Sequence, residues 1–152
     1  MLSYSELRDS LVNDFTCNVN IRRVFKKVDN LVENKDIEIF YPKNLYVGDN
    51  KFELYLFCNR IILKLGVEEG EFITTTIFYR NDIKKVSLKE SSTSRYKKTL
   101  EIMFKDGEEF KFDSVNDTNP YNDVNLSDII EKLFKDLVVT SKNSNAEVGE
   151  VQ

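Results

Sequence analysis

A chain of 152 residues with no histidine and no tryptophan, 22 Lys and Arg against 26 Asp and Glu, and 41% hydrophobic residues has the profile of an ordinary globular domain. Without histidine there is no imidazole for general acid–base work, for activating a nucleophile or for holding a metal. At this length a chain buries about 68–70% of the surface that its unfolded form exposes, so its core needs neither a metal nor a disulfide.

Cys17 and Cys58 are spaced for neither a zinc site nor a disulfide framework, and both are expected as buried free thiols. The N-terminal stretch carries acidic residues early and builds no apolar segment of the kind a signal peptide requires. The longest clean apolar run, Leu54 to Cys58, is far short of the roughly 20 residues of a membrane span, which predicts a cytoplasmic protein. Asn, Lys and Ile are abundant, Ala occurs only at Ala146, and Pro only at Pro42 and Pro120. That bias is typical of an AT-rich genome and points to a low-GC bacterium or its phage.

Ser3-Tyr4-Ser5-Glu6 reads as a capping box, with Leu2 and Leu7 placed to staple the helix start. Leu7, Leu11 and Phe15 follow at four-residue spacing. Asn18 can cap a second helix whose buried face is Ile21, Val24, Phe25, Val28, Leu31 and Val32. Residues 1–35 are therefore predicted as a helical segment, two short helices or one broken near Thr16.

From Asp36 the period becomes extended: IEIFY, KFELYLFC, RIILKL, EFITTTIFY, KKVSLK, TLEIMFK and EEFKFD are rich in β-branched and aromatic residues. Turn signals separate them at Gly48-Asp49-Asn50, Cys58-Asn59, Glu69-Gly70, Asn81-Asp82 and Asp106-Gly107, the last a two-residue hairpin signal. About seven antiparallel strands are predicted. After a polar loop from Asn116 to Asn125, a closing helix carries Leu126, Ile129, Ile130, Leu133, Phe134 and Leu137 on one face, capped by Asn125 or Ser127. Residues 140–152 lack aromatics and periodicity and read as a disordered tail. The class is α+β.

Phe57-Cys58-Asn59-Arg60-Ile61-Ile62 resembles a strand–turn–strand of bacterial pleckstrin-homology-like (PH-like) and GRAM-like domains. The stretch Ile77-Phe78-Tyr79-Arg80-Asn81-Asp82-Ile83-Lys84-Lys85-Val86 is similar to the bend in that fold after which an Ile and a Val three residues apart point inward. The hairpin at Asp106-Gly107 and the helix from Leu126 to Leu137 sit where that fold has its last two strands and its capping helix. The resemblance covers residues 36–139 and implies a partly open barrel that serves as a binding platform for peptides, proteins or phosphoinositides and is rarely an enzyme. The chain also resembles an uncharacterised family of small proteins from bacilli and their phages.

Charge is unevenly distributed. Residues 80–98 hold Arg80, Lys84, Lys85, Lys89, Arg95, Lys97 and Lys98 against Asp82 and Glu90, a local charge of about +5 beside about −9 elsewhere. With Tyr96 these residues form the candidate binding surface. Such an edge can meet phosphate or an acidic protein, or simply protect a strand edge with lysines. Members of the resembling fold that bind phosphoinositides carry their basic cluster in the loop joining the first strands; here Lys43 to Lys51 offers only those two lysines beside Asp49. With a net charge of −4, binding to nucleic acid or anionic lipid is not expected.

Asp106, Glu109 and Lys111 contain the ingredients of a metal-dependent nuclease, two carboxylates for Mg²⁺ and a lysine beside the attacking water. A hairpin turn followed by an outward charged pair is the plainer reading. No G-x-S-x-G, S-x-x-K or phosphate-cradling glycine loop stands in a suitable setting, the glycines being scattered at 48, 66, 70, 107 and 149. No catalytic residue, metal or cofactor is assigned. Finally, Leu54-Tyr55-Leu56-Phe57 and Ile61-Ile62-Leu63 are apolar on both faces of their strands, so the N-terminal helices, a second copy or a partner must cover the second face. The expectation is a non-enzymatic PH-like module that binds another protein. The alternative is a binder of phosphate-bearing ligands through residues 80–98; the remote one is a nuclease.

Overall fold

The computed structural model describes residues 2–14, 18–48, 50–119 and 124–151, with side chains characterised as far as Ser141. Phe15, Cys17, Asp49 and Pro120, which figured in the expected helix stripe, thiol, turn and loop, lie outside the described residues. Helix α1 (Tyr4–Val12) starts where the Ser3 hydroxyl accepts from the Glu6 amide at 3.1 Å. Helix α2 (Val19–Val28) starts where the Asn18 side chain accepts from the Asn20 amide at 2.8 Å. An Arg8–Asp29 ion pair links the two across their exposed side.

Seven strands follow, β1 (Ile39–Lys43), β2 (Glu53–Phe57), β3 (Ile61–Glu68), β4 (Phe72–Tyr79), β5 (Ile83–Glu90), β6 (Lys98–Phe104) and β7 (Glu109–Asp113). They form two antiparallel meanders, a four-stranded sheet ordered β1-β2-β3-β4 and a three-stranded sheet ordered β5-β6-β7. The sheets do not close into a barrel, and helix α3 (Leu126–Val151) completes an α+β fold. The strands fall in the order in which the extended runs stand in the sequence.

Period-2 alternation sends one face of each sheet toward the other. Tyr41, Tyr55, Phe57 and Phe78 from the first sheet meet Phe104, Phe110 and Phe112 from the second. Ring centroids are 4.2 Å apart for Tyr41–Phe112, 4.9 Å for Tyr55–Phe110 and 4.7 Å for Phe78–Phe110. The opposite face of the four-stranded sheet is covered from within the chain. Tyr4 packs on Phe40 and Phe25, Phe25 on Phe52, and Leu54, Leu56, Leu63 and Leu65 are buried together with Ile21, Val24 and Val28. The N-terminal helices thus account for the strands that are apolar on both faces. On β4, an edge strand of this sheet, Phe72, Ile77 and Tyr79 remain about half exposed.

Two turns show how glycine sets loop geometry. At Glu69-Gly70 both residues are left-handed, φ 55° and 68°, as a primed hairpin turn demands. At Asp106-Gly107 the expected two-residue loop is instead a three-residue one. The Gly107 amide donates to the Phe104 carbonyl at 3.0 Å, the Phe104 amide to the Glu108 carbonyl at 2.8 Å, and Gly107 takes φ 93° in the last loop position. The single left-handed glycine follows the turn rather than sitting inside it.

The α3 stripe buries as its spacing requires: Leu126, Ile129, Ile130, Leu133 and Leu137 are core residues. Asn125 is its cap, accepting from the Asp128 amide at 3.2 Å, while the Ser127 hydroxyl turns to the Arg95 carbonyl. The helical backbone continues to Val151, through the segment read from composition as a disordered tail. No proline interrupts it, and Gly149 is its only helix-weakening glycine.

Two outcomes follow from this core. Ending the chain before Leu126 removes the stripe and leaves a dye-binding product without a cooperative melt, whereas removing residues 141–152 leaves the melting curve unchanged; a soluble, cooperatively melting short chain would remove α3 from the core. The second concerns alkaline pH. Burial raises the Tyr4, Tyr41 and Tyr55 phenols above their usual range. Above about pH 10 the unfolded chain therefore releases protons that the folded chain keeps. The phenols leave stability unchanged below that pH and lower it above by about 1.4 kcal/mol per pH unit each, a fall that urea midpoints between about pH 8 and pH 11 will read once Cys58→Ser has removed the loss due to the buried thiol.

Candidate functional site

The basic segment begins in the bend after β4 and runs along β5. Ile83, Val86 and Leu88 are partly buried against the core, and the strand register shifts between Ile83 and Lys85. The bulge is why two consecutive lysines, Lys84 and Lys85, both face solvent where regular alternation would turn one inward. Lys89, Arg95, Tyr96 and Lys97 are exposed as well. Arg95 lies over the Tyr96 ring at 4.8 Å and donates to its hydroxyl at 2.6 Å. Among the described residues no carboxylate forms an ion pair with Lys84, Lys85, Lys89 or Lys97.

The remaining two members of the segment are not surface residues. Arg80 leaves only 4% of its side chain exposed and donates to Asp136 on α3 at 2.7 Å and to Glu38, just before β1, at 3.0 Å. Its amide donates to the Arg60 carbonyl, and its guanidinium lies 6.0 Å from the Phe57 ring. Lys98 is buried and donates to Glu131 on α3 at 3.1 Å. Lys98, helped by Lys135, holds the Glu131 carboxyl below the usual carboxylate range. These two cations fasten α3 across the sheets.

What they fasten is one wall of a groove. β5 is the edge strand of its sheet, and α3 stands across a groove from its first residues, Ile83 to Val86. The groove between them has a volume of about 600 Å³. Its apolar lining comes from Ile83 and Val86 on the strand and Phe134, Leu137 and Val138 on the helix. Lys84, Lys85, Asn81, Thr140 and Ser141 form the polar margin, and Arg80 closes one end. Sequence patterning marks the lysines but not the opposite wall, because Thr140 and Ser141 belong by composition to the tail. The available signal was that nothing after Leu137 breaks the helix.

A second hollow of about 480 Å³ lies between the start of α2 and the loop joining β1 to β2. Lys51 is on its lining, but Lys43 is engaged elsewhere, donating to the Lys111 carbonyl and lying 3.5 Å from the buried Asp117 carboxylate. This loop therefore does not assemble a cluster of free cations. The Asp106 side chain accepts from the Glu108 amide within the turn, and Lys111 lies 3.6 Å from Glu101 on the outward face of β7. Among the described residues no group of three or more Cys, Asp or Glu is placed to hold a metal ion. Also among them, no helix is long and apolar enough to cross a membrane. Cys58 is a buried free thiol whose pKa is raised by burial.

Two antiparallel sheets packed through aromatic rings, covered by two helices at one face and fastened by a third, define an α+β protein with a groove at a strand edge. Residues 7–126 match the model of the family described as "Protein of unknown function (DUF3908)", and the chain belongs to that family. No curated protein and no solved structure matches it.

The division of the basic segment into buried and free cations is testable by stability alone. Arg80→Met leaves two carboxylates without their partner and costs about 2–3 kcal/mol in urea denaturation, while Lys84→Ala and Lys85→Ala stay within about 0.5 kcal/mol. Equal effects at all three positions would erase the distinction.

Proposed function

We propose that this DUF3908 protein is a non-enzymatic binding module of PH-like architecture that engages another protein at the groove between β5 and α3. The groove itself carries the reading: an apolar floor beside a free strand edge, rimmed by lysines that no described carboxylate neutralises. A four-plus-three strand meander followed by a closing helix also accords with the PH-like resemblance, whose known members are chiefly binding platforms. The composition of an AT-rich genome accords with a bacterial or phage source.

Phosphate-bearing ligands are the second reading, favoured by the exposed Lys84, Lys85, Lys89, Arg95 and Lys97. Against it stand the net charge of −4 and the engagement of Arg80 and Lys98 within the fold.

The test places a photo-crosslinking residue at position 85 in cells of the source. A discrete protein adduct is expected, and Val138→Arg, a change at a position 36% exposed on the groove wall, should remove it. In parallel, duplex DNA, single-stranded RNA and anionic vesicles should show no binding near physiological salt, and Mg²⁺ or Mn²⁺ should induce no cleavage of nucleic acid. An adduct indifferent to Val138→Arg would overturn the reading. So would salt-sensitive anion binding lost on reversing Lys84, Lys85 and Lys97 to Glu, or cleavage abolished by Glu109→Ala.

A further inference from the structure

Independently of the groove, we propose that the free edge of β4 pairs with the β4 edge of a second copy of this chain, antiparallel and centred on Thr75, so that the two four-stranded sheets continue into one another. The first ground is the sequence of the strand. Phe72-Ile73-Thr74-Thr75-Thr76-Ile77-Phe78 reads the same in both directions. A two-fold axis through Thr75 and normal to the sheet therefore sets Phe72 opposite Phe78 of the second copy, Ile73 opposite Ile77, Thr74 opposite Thr76 and the two Thr75 residues opposite each other. Each residue meets its own kind, and aromatic, β-branched and Thr–Thr pairs are the favourable cross-strand neighbours. A shift of the register in either direction mixes these pairs.

The second ground is hydrogen bonding. The Cys58 amide donates to the Ile61 carbonyl at 2.9 Å, so the odd-numbered residues of β3 turn their N–H and C=O groups to β2 and the even-numbered ones turn theirs to β4. The Arg80 amide, donating to the Arg60 carbonyl at 3.0 Å, continues the same ladder. On β4 it follows that Thr74, Thr76 and Phe78 are bonded to β3, while Ile73, Thr75, Ile77 and Tyr79 point their backbone groups to the open side. Among the described residues no other backbone hydrogen bond reaches these four. The register centred on Thr75 brings Ile73 against Ile77 and Thr75 against Thr75, outward groups against outward groups, and closes about six hydrogen bonds.

The third ground is the absence of edge protection. From Phe72 to Tyr79 there is no charged residue, proline or glycine, and the pairing with β3 runs over all eight residues without a bulge. The other exposed edges are guarded: β5 by Lys84, Lys85 and Lys89, and β1, at the far side of the same sheet, by its five-residue length and Pro42. Phe72, Ile77 and Tyr79 are moreover about half exposed along β4. An edge of this kind left uncovered is a template for open-ended association. Two-fold pairing uses both β4 edges at once and leaves only the guarded β1 edges outermost, so assembly stops at two copies.

The experiment uses the full chain. Sedimentation equilibrium should give twice the chain mass at high protein concentration and a single chain on dilution. Ile77→Lys, at a half-exposed position that pairing buries, should raise the dissociation constant at least roughly tenfold and leave the urea midpoint of the diluted chain unchanged. Amide exchange followed by NMR should show Ile73, Thr75 and Ile77 gaining protection with concentration, while Thr74, Thr76 and Phe78 are protected at every concentration. In a mixture of isotope-labelled and unlabelled chains, an isotope-filtered contact should join the Thr74 Hα of one copy to the Thr76 Hα of the other, the close approach of a pair that is not hydrogen-bonded. The exchange and the filtered contact need no variant, so they decide the matter even if Ile77→Lys fails to fold. A single chain at every concentration, exchange of Ile73, Thr75 and Ile77 indifferent to concentration, a contact in another register, or a mass growing beyond two copies would overturn the proposal. So would a dimer that Val138→Arg abolishes and Ile77→Lys leaves intact, since the second copy would then sit in the groove.

Discussion

No hydrogen-bonded ladder joins the two sheets, so the fold depends on the aromatic seam between them. Phe112 is its centre, with ring centroids 4.2 Å from Tyr41, 4.8 Å from Tyr55 and 6.4 Å from Phe57. Tilted and edge-on geometries let electron-poor ring edges meet electron-rich faces, which adds about 0.5–1.5 kcal/mol per pair to the gain from burial. The seam is tied off at the β1–β7 corner by Asp117. Its buried carboxylate accepts from the Tyr41 hydroxyl and the Asp113 amide, each at 2.7 Å, with the Lys43 ammonium nearby. A buried carboxylate is tolerable there because both its oxygens have partners.

The opposite corner, between β4 and β5, is tied by Arg80 instead. The chain bends through residues 80–82, and Phe134, Leu137 and Val138 of α3 stand across a groove from Ile83 and Val86 of β5. Arg80 decides how that helix lies. Its planar guanidinium reaches Asp136 and Glu38 at once, holding the helix to the start of the first strand from a position inside the bend. Lys98 repeats the arrangement one and a half helical turns earlier, at Glu131. These two points and the apolar stripe hold the helix in place as one wall of the groove. The groove beside β5 is then a consequence of how the core is closed, which makes it available as a site without a separate scaffold.

Most of the architecture was legible in the sequence because it depends on local pattern. Alternation in KFELYLFC and EEFKFD, three- and four-residue spacing in the helices, and Gly or Asn between runs are one-dimensional signals. The hairpin at Gly107 escaped because the same Asp-Gly pair serves two loop lengths, and the choice lies in the bonds of Phe104. The fate of Arg80 and Lys98 escaped for a different reason. Their partners stand 56, 42 and 33 residues away, and no spacing rule distinguishes a cation that will be buried from one that will stay in water. The local run of positive charge was real; its division into fasteners and free residues is tertiary.

The free lysines also constrain self-association. With Arg80 and Lys98 paired inside the fold, the exposed members of the segment, Lys84, Lys85, Lys89, Arg95 and Lys97 against Asp82 and Glu90, leave about +3 on a chain of net charge −4, which attracts its own kind as well as acidic partners. Screening confines that attraction to roughly 8 Å at physiological ionic strength, so only carboxylates that can be brought to the groove count. The acidic turn Asp106 to Glu109 is the obvious local candidate, yet its residues are already folded as a three-residue hairpin, and the Asp106 side chain is occupied by the Glu108 amide.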